Sequence, residues 1–476
     1  MSHLFISAAH KSSGKTTVTL GLCRALRNRG LSVQAFKKGP DYIDPIWHGL
    51  ASGRPCYNLD FHMMTTPEIS HLFARHAVHA DIALIEGNKG LYDGMDLEGS
   101  NSNAALAKQL GAPVVLVLDT QGMTRGVAPL VLGYQAFDPA VKIAGVILNK
   151  VGGARHEDKL RAVLEHYTDI KVLGAVRMDA QLGIVERHLG LVPGNESAES
   201  EARIEAIAAR IAEQIDLDAL CVLAQGGKPP VAPATLESSS QVAVPLRITL
   251  ARDRAFGFYY QEDLDSLRDA GVQLHMLDTL SDARLPECDG LILGGGFPEM
   301  FIPELSGNTG LHADIRRVVE AGLPVYAECG GLMYLSRSLR WAQTQGDMVG
   351  VIPGDVVMGE RPVGRGYAVL DSTAISPCSP GETGIPAHEF HYSHLENLPS
   401  GLNYAYKVVR GHGIEAGWDG YVYKGLLASY CHRRGSGPRG WISPFLDRVQ
   451  TYRDARENRI AGVESPRVHS METLQH

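Results

Sequence analysis

Short, largely apolar runs return at intervals along this chain, each followed by a turn and then by a stretch of helical amphipathicity. Leu4-Phe5-Ile6, Val33-Gln34-Ala35-Phe36, Ile82-Ala83-Leu84-Ile85, Val114 to Leu118 and Val146-Ile147-Leu148 make up a first series. A strand with one wet face alternates apolar and polar residues, so near-continuous runs imply burial on both faces. Helical patterns such as Thr17 to Asn28, ahead of Gly30, supply the cover. The expected architecture is α/β, with a parallel sheet between helical layers. Leu246 to Leu250 opens a second series, continued by Leu274-His275-Met276, Leu291-Ile292-Leu293 and Pro324-Val325-Tyr326.

The two series are separated by a segment rich in Gly, Pro, Ala and Ser (GGKPPVAPATLESSS) that lacks an apolar period. Such composition reads as a linker. With 476 residues, the chain exceeds one ordinary core. The expected division is a first domain at 1–224, a linker at 225–245, a second domain at 246–440 and a polar tail at 441–476. The tail's weak amphipathic pattern allows a helix before a disordered end.

The net charge of -8 excludes a broad nucleic-acid surface, which needs clustered Lys and Arg. No apolar run is long enough to span a membrane, and the N-terminus enters a strand directly. The seven cysteines are scattered without a CxxC pair, which fits a reduced cytoplasmic location better than a disulfide framework.

Ala9-His10-Lys11-Ser12-Ser13-Gly14-Lys15-Thr16-Thr17 follows the first strand and opens a helix. It ends as a phosphate-binding loop does, with Ala9 at the usual first glycine. Backbone amides converge on phosphate there, Lys15 offsets its charge, and the Thr16 hydroxyl suits Mg²⁺. Ser13, Gly14, Lys15, Thr16 and Thr17 are therefore candidate ATP contacts. Lys11 adds a second cation, as in the variant loops of the dethiobiotin synthetase family.

Open parallel sheets bind ligands at the carboxyl ends of their strands. Three such ends carry suitable chemistry: KKGPDYIDP from Lys37, EGNKGLYDG from Glu86, and Asp119-Thr120-Gln121-Gly122. Thr16, Asp41 and Glu86 could share a hard Mg²⁺, which prefers oxygen ligands. Asn149, after its strand, resembles a reader of the nucleotide base, although a polar turn explains it nearly as well.

Far downstream, Val325-Tyr326-Ala327-Glu328-Cys329-Gly330-Gly331-Leu332 places a cysteine between a strand and a helix start. The helix N-terminus favours the thiolate, and the glycines let amides approach an oxyanion. Gly295 and Gly296 in LGGGFPE, with Gly330, are the candidate oxyanion donors. The base is either His432 or a member of the cluster His388, His391 and His394.

Taken together, these motifs resemble the cobyrinic acid a,c-diamide synthase family, ATP-dependent amidoligases fused to a triad-type glutamine amidotransferase. The resemblance rests on KKGPDYIDP, EGNKGLYDG and ERHLGLVP, then on ARDRAFGFYY, LGGGFPE, AECGGLMYL and HEFHYS, in that order. It implies a dethiobiotin synthetase-like P-loop NTPase domain and a class I glutamine amidotransferase-like domain. It also implies Cys329 as nucleophile, His432 as its partner, and ATP and Mg²⁺ in the first domain. Tyr42, Asp44, Lys89 and Asp93 become candidate substrate residues, with Lys37, Lys38 and Arg187 as further cations. Lys89 replaces the usual Met, Val185 the usual Pro, and Arg433-Arg434-Gly435 a Leu-His-aromatic run.

The reaction implied is release of ammonia from L-glutamine at one site and activation of a tetrapyrrole carboxylate at the other. A shielded path for ammonia is expected. Cobyrinate or hydrogenobyrinate is the expected substrate, with sirohaem or nickel-sirohydrochlorin as alternatives. A non-catalytic P-loop switch and a tetrapyrrole carrier are the rivals, and neither needs a nucleophile. The sequence leaves the oligomeric state open, a homo-oligomer included.

Overall fold

The computed structural model describes residues 1–179, 199–228 and 245–460, with backbone also at 186–187 and 190–191. Val185, the side chains of ERHLGLVP with that of Arg187, and most of the expected linker lie outside the described residues. The chain divides into two compact units. Of the described residues, the first takes in those up to 228 together with Gly257–Asp265 and Pro386–His388, and the second takes the others.

The first unit is built on a seven-stranded sheet of order β3-β2-β4-β1-β5-β6-β7. Its strands are β1 (Ser2–Ala8), β2 (Val33–Lys38), β3 (Tyr57–Leu59), β4 (Ile82–Glu86), β5 (Val114–Asp119), β6 (Ile143–Val151) and β7 (Val172–Arg177). Every neighbouring pair is parallel. Side chains alternate between two buried layers. Phe5, Phe36, Ile85 and Leu116 enter one core, while Leu4, Ile6, Leu84 and Val117 enter the other. This double burial explains the unbroken apolar runs. The helices Lys15–Asn28 and Ser200–Gln214 approach closely at Gly21, where a Cβ would lie 2.4 Å from Ile211 Cγ1. The first residues of the expected linker belong to this unit. They close the helix Leu217–Ala224, and the Lys228 amide donates to the Gly111 carbonyl at 2.9 Å.

The second unit centres on a nine-stranded sheet. Its order is Gln273–Leu277, Arg247–Ala251, Gly290–Leu293, Val325–Glu328, Leu426–Ser429, Trp418–Tyr423, Tyr404–Arg410, Gly364–Ser372 and Ile385–His391. The first five strands run parallel, and the next three are joined antiparallel. A four-stranded sheet adds Ser336–Trp341, Thr344–Asp347, Ile352–Met358 and Ser393–Glu396.

The stretch read as a polar tail forms a helix, Ile442–Ile460, that is part of this unit. Phe445, Leu446 and Val449 are buried among its charged residues. Gly290 permits the close fit, because a Cβ there would stand 2.8 Å from Val449 Cγ2 and 3.2 Å from Phe445 Cζ. Gly290→Val is expected to cost about 1–3 kcal/mol by overpacking. Chemical denaturation would read the loss, and new protease cuts within 442–460 would locate it.

Candidate active sites

The phosphate loop turns sharply between β1 and its helix, with Ser12 at φ 65° and Gly14 at φ 86°. Glycine adopts that left-handed geometry without Cβ strain. The loop is braced from β6. Asn149 Nδ2 donates to the Ser13 carbonyl at 2.8 Å, and Lys150 Nζ donates to the Ser12 carbonyl at 3.0 Å and to Asp119 Oδ2 at 2.6 Å. Asn149 thus props the loop through its Nδ2. A Cβ on Gly14 would strike its amide, at 2.1 Å. Ser13 Oγ is likewise engaged, donating to the His10 carbonyl at 2.8 Å. Lys15 is buried, and desolvation lowers its ammonium pKa to about 8 against the pull of Glu86 and Asp44. Thr17 is half-buried on the first helical turn.

Beside Lys15 lies a compact charged cluster. Thr16 Oγ1 donates to Glu86 Oε1 at 2.8 Å and to Asp44 Oδ2 at 3.3 Å. Lys37 Nζ reaches Glu86 Oε1 at 2.8 Å and also bonds Asp44. His48 Nε2 takes the other oxygen of Glu86. Burial opposes ionisation of Glu86, but Lys37 and His48 outweigh it and hold the carboxyl below its usual range. His48 and the bridging role of Lys37 were not foreseen. The i, i+4 spacing of Asp44 and His48 on the helix Ile43–Ser52 was the available signal.

The expected metal residue Asp41 is engaged at the start of a helix. Its Oδ1 accepts the amides of Ile43 at 2.9 Å and Asp44 at 3.0 Å, opening that helix. Asp44, expected at the substrate, lies within hydrogen-bonding distance of Thr16 and shares Lys37 with Glu86. Burial, then the neighbouring Asp44 charge, push Asp41 up to about 6. A raised carboxyl pKa gives stability that is full below the unfolded value of about 3.9 and lost as pH rises through the folded value. Asparagine keeps the accepting oxygen without the charge. Asp41→Asn is thus expected to gain on the order of 1 kcal/mol at neutral pH and little near pH 4, as read by urea unfolding. A folded variant that no longer uses nucleotide would return Asp41 to a metal role.

The other expected substrate residues are mixed. Asp93 Oδ2 accepts the Gly90 amide at 2.9 Å and shapes its own turn, whereas Lys89 is exposed. The Tyr42 ring is stacked on Phe258 at 5.5 Å and tilted on Tyr260 at 4.7 Å, all within the first unit. One face of that ring is therefore taken.

In the second unit, Cys329 sits at φ 46°, ψ -101° between the strand Val325–Glu328 and the helix Gly330–Leu335. Such a conformation strains a residue with a Cβ and is tolerated where the surroundings enforce it. The Cys329 amide donates to the Ser429 carbonyl at 2.7 Å. Added Cβ atoms would meet Gly296 N at 2.9 Å from Gly330 and Leu293 O at 2.1 Å from Gly331. The fold thus brings together Gly330 and Gly296, with Gly295 one residue behind.

Parallel pairing sets Glu328 opposite Ser429, so the chain leaving Ser429 passes the elbow. His432, on that segment, hydrogen-bonds the Cys329 thiol and meets Glu328 Oε2 at 3.1 Å through Nδ1. Burial lowers its pKa, yet the bonds to Cys329 and Glu328 raise it to about 10. Asp419 secures the approach by accepting the amides of Tyr430 at 3.0 Å and Cys431 at 2.9 Å. Two of the alternative bases are engaged with other groups. His391 stacks on Tyr430 at 4.0 Å and bonds the Ser393 carbonyl, and His394 pairs with Glu396 at 3.1 Å.

Arg433, the departure beside His432, is buried. It donates to Tyr406 Oη at 2.8 Å and to the Arg439 carbonyl at 3.0 Å. Glu328 also went unread as a site residue, since only the strand register brings it to His432.

Comparisons with known proteins match both domain types. Residues 5–191 match the CobQ/CobB/MinD/ParA nucleotide binding domain, and 247–436 match the CobB/CobQ-like glutamine amidotransferase domain. A cobyrinate a,c-diamide synthase of Magnetococcus marinus is 46% identical, covering 94% of this chain and 96% of its own. Those of Methanosarcina barkeri and Caldanaerobacter subterraneus are 38% and 39% identical, over 95% and 94% of this chain and 97% and 98% of theirs. With both domain types in order and identity of this degree across nearly the whole length, the chain belongs to the cobyrinate a,c-diamide synthase family.

Proposed function

We propose that this protein is a carbon–nitrogen ligase that amidates the a and c acetate carboxylates of cobyrinate, using ATP and L-glutamine. The carrying observation is the buried Cys329–His432 pair at a strand-to-helix elbow, in one chain with a lysine-bearing phosphate loop. A switch or a carrier has no use for the pair.

Cys329 attacks the glutamine carboxamide carbon. His432 supplies a proton to the departing nitrogen as ammonia leaves, then takes one from the water that hydrolyses the thioester to glutamate. The amides of Gly296 and Gly330 face the developing oxyanion. In the first unit, Lys15 neutralises phosphate charge, and the braced loop from Ser12 to Gly14 presents its amides.

Among the described residues no group of three or more His, Cys, Asp and Glu side chains forms a metal cage. Mg²⁺ is usually held by one or two carboxylates plus phosphate, and Thr16, Asp44 and Glu86 offer that set of hard oxygens. ATP supplies the phosphoryl group that makes the carboxylate reactive towards ammonia, and Mg²⁺ offsets its charge.

The deciding experiment incubates the protein with ATP, Mg²⁺ and glutamine and a panel of tetrapyrrole acids, followed by mass spectrometry. Two acid-to-amide conversions on cobyrinate are expected. Conversion of sirohaem or nickel-sirohydrochlorin instead would reassign the substrate, and Lys89, exposed in a substrate loop, is the first residue to examine. ATP hydrolysis with no amide on any acid would overturn the ligase reading. Among the described residues no helix is long and apolar enough to cross a membrane.

A further inference from the structure

Along the strand Val325–Glu328 the side chains alternate. Val325 and Ala327 enter the apolar core, while Tyr326 and Glu328 point to the opposite face. Both oxygens of Glu328 are engaged there. Oε2 meets His432 Nδ1 at 3.1 Å, and Oε1 accepts the Tyr326 hydroxyl at 2.6 Å and the Arg433 amide at 2.9 Å. Tyr326 is itself held, since Trp441 stacks on its ring at 3.8 Å between centroids and 12° between planes. Phe445 closes the edge at 6.4 Å. Trp441 and Phe445 lie beyond the segment that matches the amidotransferase family, 247–436.

We infer that Glu328 is the positioning carboxylate of the Cys329–His432 pair, and that Trp441 fixes it through Tyr326. The C-terminal helix is then part of the glutaminase machinery. The inference rests on the reading of Cys329 as the glutaminase nucleophile. The two residues after His432 are Arg433 and Arg434, so no acid follows the histidine closely. A carboxylate bonded on three sides cannot swing away. It keeps the proton on Nδ1, leaves Nε2 for the thiol, and stabilises the imidazolium that forms when Cys329 loses its proton. The charged and titratable groups around the pair include Glu328, Tyr326, Tyr430 and Arg433, with Asp419 beneath the adjoining backbone. Burial and the Glu328 charge hold the Tyr326 phenol well above its ordinary range, so it remains a donor.

The test uses the full chain with Glu328→Gln, Glu328→Asp, Tyr326→Phe and Trp441→Leu. Alkylation of Cys329 by iodoacetamide, followed across pH by mass spectrometry, reports thiolate formation without turnover. Loss of the anion weakens the imidazolium, so E328Q should move the alkylation midpoint upward by about 1 unit or more. Its glutamine-dependent kcat should fall about 100-fold or more, with KM for glutamine and ammonium-dependent amidation near wild type. E328D should recover part of the loss. Y326F and W441L should shift the profile the same way, with kcat lowered about three- to tenfold.

A wild-type pH profile and kcat in E328Q would overturn the role of Glu328. Wild-type behaviour in both Y326F and W441L would overturn the clamp. If E328Q does not fold, E328D and Y326F carry the decision by the same readouts. Cys329→Ser that still uses glutamine would instead overturn the underlying reading, and the inference with it.

Discussion

Cys329→Ser is expected to abolish glutamine-dependent amidation while leaving the reaction with ammonium salts near wild type. The substitution exchanges sulfur for oxygen with almost no change of volume, and the elbow at φ 46° is imposed by its neighbours. Gly330, Gly331 and the Cys329 amide bond to Ser429 all persist, so the fold should hold. What is lost is a nucleophile matched to its base. A serine hydroxyl titrates far above the thiol, and His432 cannot form the ion pair with it. Loss of a nucleophile in a cooperating set costs about 10⁴-fold or more in turnover. Ammonium supplies the product of this site directly, so the second half-reaction bypasses the lesion. Glutamate release and amide product, measured together with each nitrogen donor, give the answer. Normal use of glutamine would remove Cys329 from its role, and loss with both donors would point to a folding defect.

Lys15→Met should have the complementary effect, with amide product lost on both nitrogen donors and glutamate release retained. Lys15 is the buried cation of the phosphate loop, and its neighbour Lys37 is tied to Glu86 and Asp44. Removing a preorganised charge from a transferring phosphoryl group costs about 10²–10³-fold. Methionine preserves the length and apolar body of the side chain. Because desolvation lowers the Lys15 pKa to about 8, nucleotide affinity of the wild type should weaken as pH rises through that value. The Lys15→Met protein should lack that limb. Calorimetric titration with nucleotide between pH 7 and 9 tests both statements. An unchanged pH dependence in the variant would show that another group titrates.

The two lesions are expected to separate the half-reactions cleanly, and the same division marks what could be read without coordinates. The central strands of both sheets were legible because burial on both faces leaves nearly continuous apolar runs, as in Val114 to Leu118. The edge strand β3 was not, since Tyr-Asn-Leu carries too few residues for a pattern. Outer strands of the second unit alternate buried and half-buried residues, as Ile352–Met358 does, and were overlooked. The helix Ile442–Ile460 has few apolar residues, so charge hid its docking face. Asp41 and Asp44 stand three residues apart in one loop. Which of them caps the helix and which faces Thr16 depends on where that helix begins.

By itself the sequence determined the α/β architecture and both reactive elements. Each is a local object, a tight glycine turn joining a strand to a helix, and its chemistry is written in adjacent residues. The tertiary structure decided the partners. It brought His432 to Cys329, set Asp41 at the start of a helix and Asp44 beside Thr16, tied Asn149 to the phosphate loop, and set Glu328 and Trp441 behind the histidine. These outcomes follow from strand register and helix docking, which join residues about a hundred positions apart. Contacts at that separation leave no mark on local periodicity, because their energy comes from burial that only the packed chain creates.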